Sequence, residues 1–320
     1  MICITGVAGF VGTNLAKCLL ARGAKVAGLD NLRVGSIRNL DMLLKNPRFT
    51  FRMVDLSDLP AYRNELRYLI TLSPVSEIWH MAANSDIPAG VRDPAIDLRD
   101  TFMTTFNTLL LMREFGIGTI AFASSSAVYG DQGDRELDEE SGPLLPISNY
   151  GAMKLASEAA ISASVENHLD RALIFRFPNV IGVPATHGAI FDFVRKLKET
   201  PEHLAVLGDG TQQKNYLHVE ELVNAMLFVR ERATEKLGCY NIGTGDAGVT
   251  VRFIAEQVVA RVAPGARIEF GQGSKGWAGD VPRFRYSIAK LTQLGWRSPV
   301  GSAEAVRRAV DEIAKQEVPR

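Results

Sequence analysis

The 320-residue sequence has few of the features that mark secreted proteins. It contains only three cysteines, Cys3, Cys18 and Cys239, which are far apart and lie among apolar residues. An odd and scattered set of thiols excludes a disulfide framework and is typical of a reducing compartment, so we expect a cytoplasmic location. Met1 leads directly into a strand-like run, and we therefore also expect no signal peptide.

The sequence also lacks an excess of either charge, since 36 basic side chains balance 36 acidic ones. Without a basic surplus it has no electrostatic footprint for nucleic acid, and without a polybasic segment it has none for an anionic membrane surface. No apolar run approaches the ~20 residues of a membrane-spanning helix. With 46% apolar residues the chain can bury a large core. We expect a globular protein with no nucleic-acid or membrane partner and no metal site.

Through its first half the chain alternates strand-like apolar runs with helical patterns. This alternation predicts a parallel sheet covered by helices on both faces, which is the Rossmann-type, doubly wound α/β fold. The expected strands are residues 2–5, 25–29, 49–54, 76–81, 119–123 and 171–175, and the expected helices are 13–21, 60–71, 96–115 and 150–167.

After about residue 176 the rhythm changes, with loops richer in glycine and proline between short helices at 190–198, 219–232 and 250–262. We predict a Rossmann domain over residues 1–175, to which part of 213–240 returns. Residues 176–320 are predicted to form mainly a smaller, interleaved C-terminal α/β domain. The acidic stretch from Asp131 to Gly142 is expected to be a solvated loop.

A glycine-rich turn, Gly6-Val7-Ala8-Gly9-Phe10-Val11-Gly12, follows the first expected strand. The first glycine of such a motif permits the tight turn, the second lets a pyrophosphate approach the backbone, and the third lets helix and strand pack closely. The N-terminus of the next helix offers unpaired N–H groups to phosphates. We therefore predict that a dinucleotide binds at Gly6, Gly9, Phe10, Val11 and Gly12.

Asp30, at the end of the second expected strand, indicates which dinucleotide binds. A carboxylate at this position hydrogen-bonds the adenosine ribose and repels a 2′-phosphate, which favours NAD over NADP. Arg33 is the opposing signal, because an arginine nearby can accommodate the extra phosphate. The alternative for Asp30 is a turn residue at a strand end. Asp55 either contacts the adenine or caps the turn at Ser57.

Tyr150 and Lys154 lie in the segment Asn-Tyr-Gly-Ala-Met-Lys, at a spacing that puts both side chains on one face of a helix. An ammonium beside a phenol favours the phenolate and lowers the pKa of the tyrosine. Such a tyrosine can accept the proton of a sugar hydroxyl while the carbon loses hydride to a nicotinamide. Downstream of the glycine turn, this pair predicts redox chemistry on a bound nucleotide.

Together these residues resemble the extended short-chain dehydrogenase/reductase family over essentially the whole chain. Within that family the sequence is most similar to the UDP-glucose (UDP-galactose) 4-epimerases. The motifs that carry the resemblance are Asp30-Asn31-Leu32, His80-Met81-Ala82-Ala83, Ser124-Ser125-Ser126-Ala127-Val128-Tyr129-Gly130, Tyr150 to Lys154, Arg176 to Gly182, Thr186-His187-Gly188, Gly208 to Gln212 and Gly276 to Val281.

The resemblance implies roles for individual positions. Tyr150 is the implied catalytic base, Lys154 its partner and a holder of the nicotinamide ribose, and Ser125 the hydrogen-bonding partner of the reacting oxygen. His80 is expected to be a packed strand residue. The further implied cofactor contacts are Asn31, Asp55, Leu56, Ala82, Ala83, Ser124 and Phe177, and the implied substrate contacts are Ser125, Ser126 (whose alternative is a loop hydroxyl), Asn179, Lys214, Tyr216 and Asp280.

The two residues that follow Ser125 distinguish between the reactions of the family. Relatives that dehydrate, decarboxylate or work through an enediol carry acidic residues or a cysteine there, where this chain has Ser126 and Ala127. The resemblance therefore implies an NAD-dependent 4-epimerase that interconverts UDP-glucose and UDP-galactose, or a related NDP-hexose, through a transient 4-keto intermediate. The open alternatives are a UDP-glucuronate or UDP-N-acetylglucosamine 4-epimerase, a 4-keto reductase and a non-catalytic NAD-binding regulator.

Some positions depart from the pattern of the 4-epimerases. Lys214-Asn215-Tyr216 replaces an Arg-Asp-Tyr segment, and Trp277 stands in place of a second phosphate-binding arginine. Lysine offers a point charge rather than a bidentate fork, so Lys214 is the best candidate for holding the diphosphate in a different way. Thr101 stands where many relatives have an asparagine.

The expected helices 96–115 and 150–167 carry wide apolar faces. In relatives such helices pair with their copies in a second subunit, which implies a homodimer. Burial of both helices within one chain explains the same pattern and stays open as the alternative.

Overall fold

A computed structural model describes residues 1–133, 135–273 and 285–317. The strands are β1 (Ile2–Thr5), β2 (Val26–Asp30), β3 (Phe49–Met53), β4 (Glu77–His80), β5 (Thr119–Ala123), β6 (Glu136–Leu137), β7 (Arg171–Arg176), β8 (Asn179–Ile181), β9 (His203–Val206), β10 (Gln213–Lys214), β11 (Tyr216–His218), β12 (Leu237–Asn241), β13 (Val249–Thr250), β14 (Arg267–Phe270) and β15 (Arg285–Tyr286). The α-helices are α1 (Phe10–Ala21), α2 (Leu59–Leu72), α3 (Ile87–Arg92), α4 (Pro94–Asp97), α5 (Thr104–Phe115), α6 (Asn149–Asn167), α7 (Ala189–Glu199), α8 (Val219–Arg232), α9 (Val251–Val262), α10 (Ala289–Gln293) and α11 (Ser302–Gln316).

The central sheet has seven strands in the order β12-β7-β5-β4-β1-β2-β3. Neighbours from β7 to β3 are paired in parallel, and Ile4 of β1 lies between Gly28 and Trp79. The chain winds outward from β1 to β3 and then returns to β4 on the other side of β1, so the direction of winding reverses there. Ligands of such sheets bind at the carboxyl ends of the strands beside this reversal. The predicted doubly wound Rossmann-type fold is confirmed.

The strands β1, β2 and β4 are buried along their whole length, and their central residues are apolar or glycine. Helix α2 illustrates how the covering helices are specified. Asp58 caps its N-terminus by accepting a hydrogen bond from a backbone N–H, and Pro60 occupies the first turn. Its buried residues Tyr62, Leu66 and Leu69 recur at helical spacing and belong to the core on that face of the sheet.

Two helices differ from their predicted bounds in ways that affect the site. Helix α1 begins at Phe10 rather than at residue 13, so Gly12 lies inside its first turn. The helix predicted at 96–115 is a continuous helical segment, in which π-helical residues Leu98–Met103 join α4 to α5. Among the helices that the structure describes, none combines the length and the hydropathy needed to span a membrane.

The chain divides into two compact units. The first comprises Met1–Gly130, Gly142–Arg176 and Val229–Tyr240, and the second comprises Asp131–Ser141, Phe177–Phe228 and the described residues of Asn241–Arg320. In the second unit, α7, α9 and α11 bury a core of their own that includes Phe193, Val258 and Val310. Helix α11 was not predicted from the sequence.

The acidic stretch was predicted to be a solvated loop, and part of that prediction is wrong. Strand β6 pairs in parallel with β15, with Tyr286 opposite Leu137. Leu137 is buried, and Glu139 accepts a hydrogen bond from the backbone N–H of Asn241 at 2.7 Å. One apolar side chain among many charged ones therefore anchors this segment in the second unit.

Candidate active site

The glycine-rich turn joins β1 to α1 in the middle of the sheet. Gly6 has a φ of +67°, and a Cβ on it would lie 2.8 Å from the Cα of Ala82, which follows β4. A Cβ on Gly12 would lie 2.1 Å from the carbonyl oxygen of Gly6. The turn conformation and the close approach of the helix therefore require glycine at both positions.

Gly9 has a different environment. Of the atoms described, a Cβ on Gly9 would meet only the carbonyl oxygen of Gly6, at 3.2 Å. Gly9 is the N-cap of α1, and neither a capping side chain nor an acidic first-turn residue is present among the described residues of this helix end. The first N–H groups, at the half-buried Phe10 and Val11, are thus suited to an anion, so the turn fits a dinucleotide pyrophosphate.

Asp30 lies beside this turn at the end of β2. Its carboxylate accepts hydrogen bonds from the backbone N–H groups of Ala8, at 2.9 Å, and Leu32, at 2.8 Å. Burial raises the pKa of Asp30, and these two hydrogen bonds oppose the rise. The side chain of the next residue, Asn31, accepts a hydrogen bond from the backbone N–H of Arg33 at 3.0 Å. The carboxylate of Asp30 is therefore fixed next to the glycine turn, as a ribose-binding group requires.

Asp55 has both of its carboxylate oxygens occupied. One oxygen accepts hydrogen bonds from the backbone N–H and the hydroxyl of Ser57, at 2.9 and 2.7 Å. Asp55 therefore caps this turn, which was the predicted alternative to an adenine contact. The other lies 3.0 Å from Nη2 of Arg33. Burial opposes the ionisation of Asp55, but the hydrogen bonds from Ser57 and the charge of Arg33 outweigh it and lower the pKa. The side chain of Leu56 is in the core, and its carbonyl accepts a hydrogen bond from Asn107 at 2.9 Å.

The remaining predicted cofactor contacts of the first unit lie at the carboxyl ends of β4 and β5. Ala82 and Ala83 follow β4 and are half-buried. Ser124 follows β5 and is buried, and its hydroxyl donates to the carboxylate of Glu158. Glu158 also forms a buried ion pair of 2.6 Å with Arg176. The sequence indicated no role for Glu158, because an acidic residue within an amphipathic helix reads as an ordinary surface position.

Ser125, Tyr150 and Lys154 come together where β5 ends and α6 begins. The hydroxyl of Ser125 is near enough to the phenol of Tyr150 to lower its pKa. Lys154 is only 2% exposed and donates to the carbonyl oxygen of Ala123 at 2.6 Å. Its Nζ lies 5.8 Å from the centre of the Tyr150 ring. Ser126 is half-buried and begins a 3-10 turn directly after these residues.

The pKa values of this pair differ from the prediction. Burial raises the pKa of Tyr150 to about 12, although the nearby hydroxyl of Ser125 opposes the rise. Burial lowers the pKa of Lys154 to about 7. The expectation that the lysine lowers the pKa of the phenol is therefore wrong for the polypeptide by itself. The reason is that the ammonium is buried and directed at a backbone carbonyl, so further positive charge is needed for the phenol to ionise near neutral pH.

An acidic group that the sequence did not indicate lies close to this pair. Asp97 is fully buried, and its Oδ1 accepts a hydrogen bond from the side chain of Asn84 at 2.8 Å. Its Oδ2 has no hydrogen-bond partner among the described residues. The charge of Asp97 contributes to raising the pKa of Tyr150. The one unusual feature near Asp97 in the sequence was Thr101, which stands where many relatives have an asparagine. Its hydroxyl accepts a hydrogen bond from the backbone N–H of Asn84 at 3.1 Å.

His80 is a packed strand residue, as expected. Its two ring nitrogens are hydrogen-bonded to the hydroxyl groups of Thr5, at 2.8 Å, and Thr105, at 3.1 Å. The ring stacks on Phe122 with centroids 5.9 Å apart. Burial lowers the pKa of His80 to about 3, so the imidazole is neutral and supports the strand end without exchanging protons near neutral pH.

The predicted substrate contacts Asn179, Lys214 and Tyr216 belong to the second unit, as does Phe177, which is half-buried. Asn179 begins β8 and is exposed, and it is paired in register with Tyr216 of β11. Tyr216 is buried in the core of this unit, whereas Lys214 is half-buried in β10. Asp280 and Trp277 lie outside the described residues. The roles of all these residues stay predictions.

The structure explains why an asparagine stands at position 215. The side-chain amide of Asn215 donates to Oδ1 of Asp246 at 3.0 Å. Asp246 also accepts a hydrogen bond from the hydroxyl of Ser302 at 2.7 Å. Burial opposes the ionisation of the Asp246 carboxylate, but these hydrogen bonds outweigh it and lower the pKa. An aspartate at 215 has no proton to donate and would face a second carboxylate. This departure therefore belongs to the packing of the second unit.

A Rossmann sheet with an uncapped glycine turn and a Ser–Tyr–Lys set at its carboxyl edge is the arrangement of a nicotinamide-dependent redox enzyme. The chain belongs to the NAD dependent epimerase/dehydratase family, whose model matches residues 2–243. The predicted family and its cofactor, NAD, are confirmed.

Relatives match the chain over nearly its whole length. It is 29% identical over 318 residues to the UDP-glucose 4-epimerase of Mycolicibacterium smegmatis, with 96% of each chain covered. It is 26% identical over 321 residues to the UDP-glucuronate 4-epimerase of Thermodesulfobacterium geofontis, with 96% of this chain and 94% of the relative covered. The crystal structure of the Thermus thermophilus UDP-glucose 4-epimerase in complex with NAD superposes with a TM-score of 0.85, at 30% identity and 99% coverage of both chains.

Proposed function

We propose that the protein is an NAD-dependent sugar-nucleotide 4-epimerase that interconverts UDP-glucose and UDP-galactose. The observation that carries the proposal is that Lys154 lies one helical turn from Tyr150 and near its ring, with Nζ 5.8 Å from the ring centre, and that Ser125 is near enough to affect the pKa of the phenol. This group lies at the end of β5, two strands away from the glycine turn in the sheet order. Relatives named as 4-epimerases match 96% of the chain, which supports the same chemistry here.

The chain's own residues fit the cofactor. The uncapped N-terminus of α1 suits the pyrophosphate, and the carboxylate of Asp30 suits a ribose with free hydroxyl groups. Bound NAD supplies an acceptor for the hydride of the sugar and, in its oxidised form, a positive charge. Lys154 is positioned by the carbonyl of Ala123 and is the second candidate for a ribose contact.

In the proposed reaction the side chains transfer a single proton. The hydroxyl of Ser125 hydrogen-bonds the sugar O4 while Tyr150 takes the O4 proton as C4 loses its hydride, which leaves a 4-keto sugar. Tyr150 then returns the proton to O4 when hydride comes back to the opposite face of C4. Because the pKa of this phenol is raised to about 12, further positive charge near Tyr150 is needed before it can act as the base. No net redox change results, so NAD is not consumed.

The positions after Ser125 limit the chemistry to C4. Ser126 and Ala127 have no acidic or thiol group that exchanges protons at a second carbon. Dehydration and decarboxylation therefore lack a residue at this place. The chemistry that these side chains support is the transfer of a hydride and a proton at C4.

We assign binding of the sugar nucleotide mainly to the second unit, through Asn179, Lys214 and Tyr216, together with Asp280. The register pairing of Asn179 with Tyr216 supports their joint placement. UDP-glucuronate is the second candidate substrate, because chemistry at C4 does not read the substituent at C6 and a 4-epimerase for that sugar matches 96% of this chain.

The test is incubation of the purified protein with a panel of UDP-hexoses, followed by chromatographic separation of the epimers. Interconversion of UDP-glucose and UDP-galactose without added NADH supports the proposal. Turnover that consumes NADH in proportion to product would identify a 4-keto reductase instead. A protein that retains NAD but converts no sugar of the panel would be a non-catalytic regulator.

The proposal includes a homodimer in the cytoplasm. Leu98, Phe106 and Leu110 are exposed along the helical segment Pro94–Phe115, and the rings of Phe102 and Phe106 stack at 6.1 Å. An apolar surface of this kind is suited to pairing with a copy of the same helix. The three cysteines form no disulfide with one another, in keeping with a reducing compartment.

A further inference from the structure

Arg33 lies in a chain of four charged side chains beside the ribose-binding Asp30. Its Nη2 is 3.0 Å from Asp55, and its Nη1 is 2.5 Å from Oδ1 of Asp100. Asp100 in turn accepts two hydrogen bonds from Arg99, each of 2.8 Å. The guanidinium of Arg33 is therefore bound on both sides by carboxylates.

These carboxylates come from different parts of the first unit. Asp55 follows β3, and its own position is fixed by Ser57. Asp100 lies in the π-helical segment between α4 and α5, and its side chain is only 14% exposed, whereas that of Arg33 is 44% exposed. π-helical turns within longer helices often mark functional positions. Two separate elements thus hold one exposed arginine in place.

An arginine near the ribose carboxylate is the usual means by which this fold accommodates the 2′-phosphate of NADP. Arg33 has the right sequence position for that role, yet its guanidinium is engaged elsewhere. Asp30, Asp55 and Asp100, with Arg33 and Arg99, leave one net negative charge in the group. A phosphate monoester carries a charge of about −1.5 to −2 at neutral pH, so this group repels it as a whole.

We infer that Asp55 and Asp100 determine cofactor specificity by holding Arg33 away from an incoming 2′-phosphate, as a second barrier in addition to Asp30. To contact such a phosphate Arg33 must leave both partners, and Asp100 would then keep only Arg99. A freed guanidinium would offer NADP a charge-assisted, bidentate contact. The inference rests on the proposed NAD site and adds residues that select against the phosphorylated cofactor.

The experiment compares nucleotide retention in four proteins. The purified holoenzyme, Asp30→Ser, Asp30→Ser/Asp100→Asn and Asp30→Ser/Asp100→Asn/Arg33→Ala are dialysed against equal concentrations of NAD and NADP. The nucleotides that each protein retains are then released by denaturation and measured by chromatography. Asp30→Ser removes the direct repulsion, so that the contribution of Arg33 becomes visible. Asp100→Asn removes the shorter of the two ion pairs that hold Arg33, with almost no change of shape.

We expect the retained ratio of NADP to NAD to rise at least about tenfold from Asp30→Ser to the double variant, a change of about 1.4 kcal/mol in relative binding. Addition of Arg33→Ala should cancel that rise. A matched control is Glu114→Gln, added to Asp30→Ser, because it breaks the exposed 2.8 Å ion pair of Arg63 with Glu114 elsewhere in the same unit. This control should leave the ratio unchanged.

Two results would overturn the inference. One is an unchanged ratio in the double variant when thermal unfolding shows it to be folded, and the other is an equal rise in the presence of Arg33→Ala. Asp55→Asn in the Asp30→Ser background removes the other ion pair of Arg33 and should raise the ratio in the same direction. Failure of the wild-type protein to retain NAD would instead contradict the proposed function, so the two failures are distinguishable.

Discussion

Tyr150 and Lys154 lie one helical turn apart, yet each responds more strongly to burial than to the other. The phenol is driven towards its protonated form and the amine towards its neutral form, with pKa values of about 12 and about 7. Both shifts favour the uncharged state, as expected where water is excluded. The charge that makes Tyr150 a base must therefore come from outside the pair.

Replacement of Tyr150 by phenylalanine tests its role directly. Tyr150→Phe should lower the turnover of UDP-galactose by at least about 10²-fold, because no other group would move the O4 proton. Retained NAD should stay at the wild-type level, since the ring and its packing are kept. Tyr68→Phe is the matched control, because Tyr68 is an exposed tyrosine of α2. Equal losses in both variants would contradict the assignment.

Replacement of Lys154 by methionine tests the cost of burying its charge. In the unfolded chain the lysine has a pKa near 10.5, above its folded value of about 7. Below about pH 7 both states carry the proton, and folding buries a charge. Between about pH 7 and about pH 10.5 the folded state loses its proton first, so wild-type stability rises with pH.

Lys154→Met has no such titration. Its stability relative to wild type should therefore fall by roughly 2 kcal/mol between about pH 7 and about pH 9. Thermal unfolding at both pH values, with the same saturating NAD, measures the difference. Lys196→Met is the control, because Lys196 is exposed and its ammonium donates to the backbone carbonyl of Ala205. A pH-independent difference for Lys154→Met would show that the lysine stays charged in the folded protein.

At the scale of single elements, the unit of β1, the glycine turn and α1 combines two different uses of glycine. Gly12 is required for packing, whereas Gly9 leaves space at the end of the helix. Gly12→Ala should destabilise the fold by about 1–3 kcal/mol, because the added methyl group collides with the backbone at Gly6. Gly9→Ala should change stability little and lower NAD retention by about tenfold or more, since the methyl group obstructs the phosphates.

Thermal unfolding without added nucleotide, together with the amount of NAD that copurifies, separates the two effects. Each variant serves as the control of the other, because both carry the same change within one turn. If Gly9→Ala destabilises the protein as much as Gly12→Ala does, the space at the helix end is structural and the pyrophosphate site is misplaced.

The elements differ in how well the sequence predicted them. Strands β1 and β5 have the predicted bounds, because continuous apolar runs between turns leave little choice. Helix α1 starts earlier than predicted, since tertiary packing overrides the low helix propensity of Gly12. The two-residue strands β6, β10, β13 and β15 could not be predicted, because so short a segment has no periodicity.

At the scale of the whole molecule, the exposed apolar residues of the helical segment Pro94–Phe115 predict a second subunit. Phe106→Glu should convert the proposed dimer to a monomer, because a carboxylate cannot be buried unpaired in an apolar interface. Sedimentation velocity measures the change. Leu72→Glu is the control, since Leu72 is equally exposed on α2 but is one of the last residues of that helix. An unchanged assembly in Phe106→Glu would contradict the proposed interface.

The residues of the candidate site were predictable to the extent that they depend on local requirements. Gly6 and Gly12 could be identified because a tight turn and a close helix need glycine wherever the rest of the chain goes. Tyr150 and Lys154 could be paired because helical spacing alone puts them on one face. Asp97 and Glu158 could not be identified, since nothing near them in the sequence indicates that they are buried beside the catalytic set.

The sequence by itself determined the strands β1 to β5 and β7 and the dinucleotide turn, since these follow from spacing along the backbone. Its motifs carried the resemblance to the family. Only the tertiary structure decided which groups are charged and which are held in ion pairs. It reversed the expected pKa shift of Tyr150, and it showed Arg33 bound between Asp55 and Asp100. The physical reason is that desolvation and Coulomb attraction depend on distance in space, and residues remote in the sequence supply both.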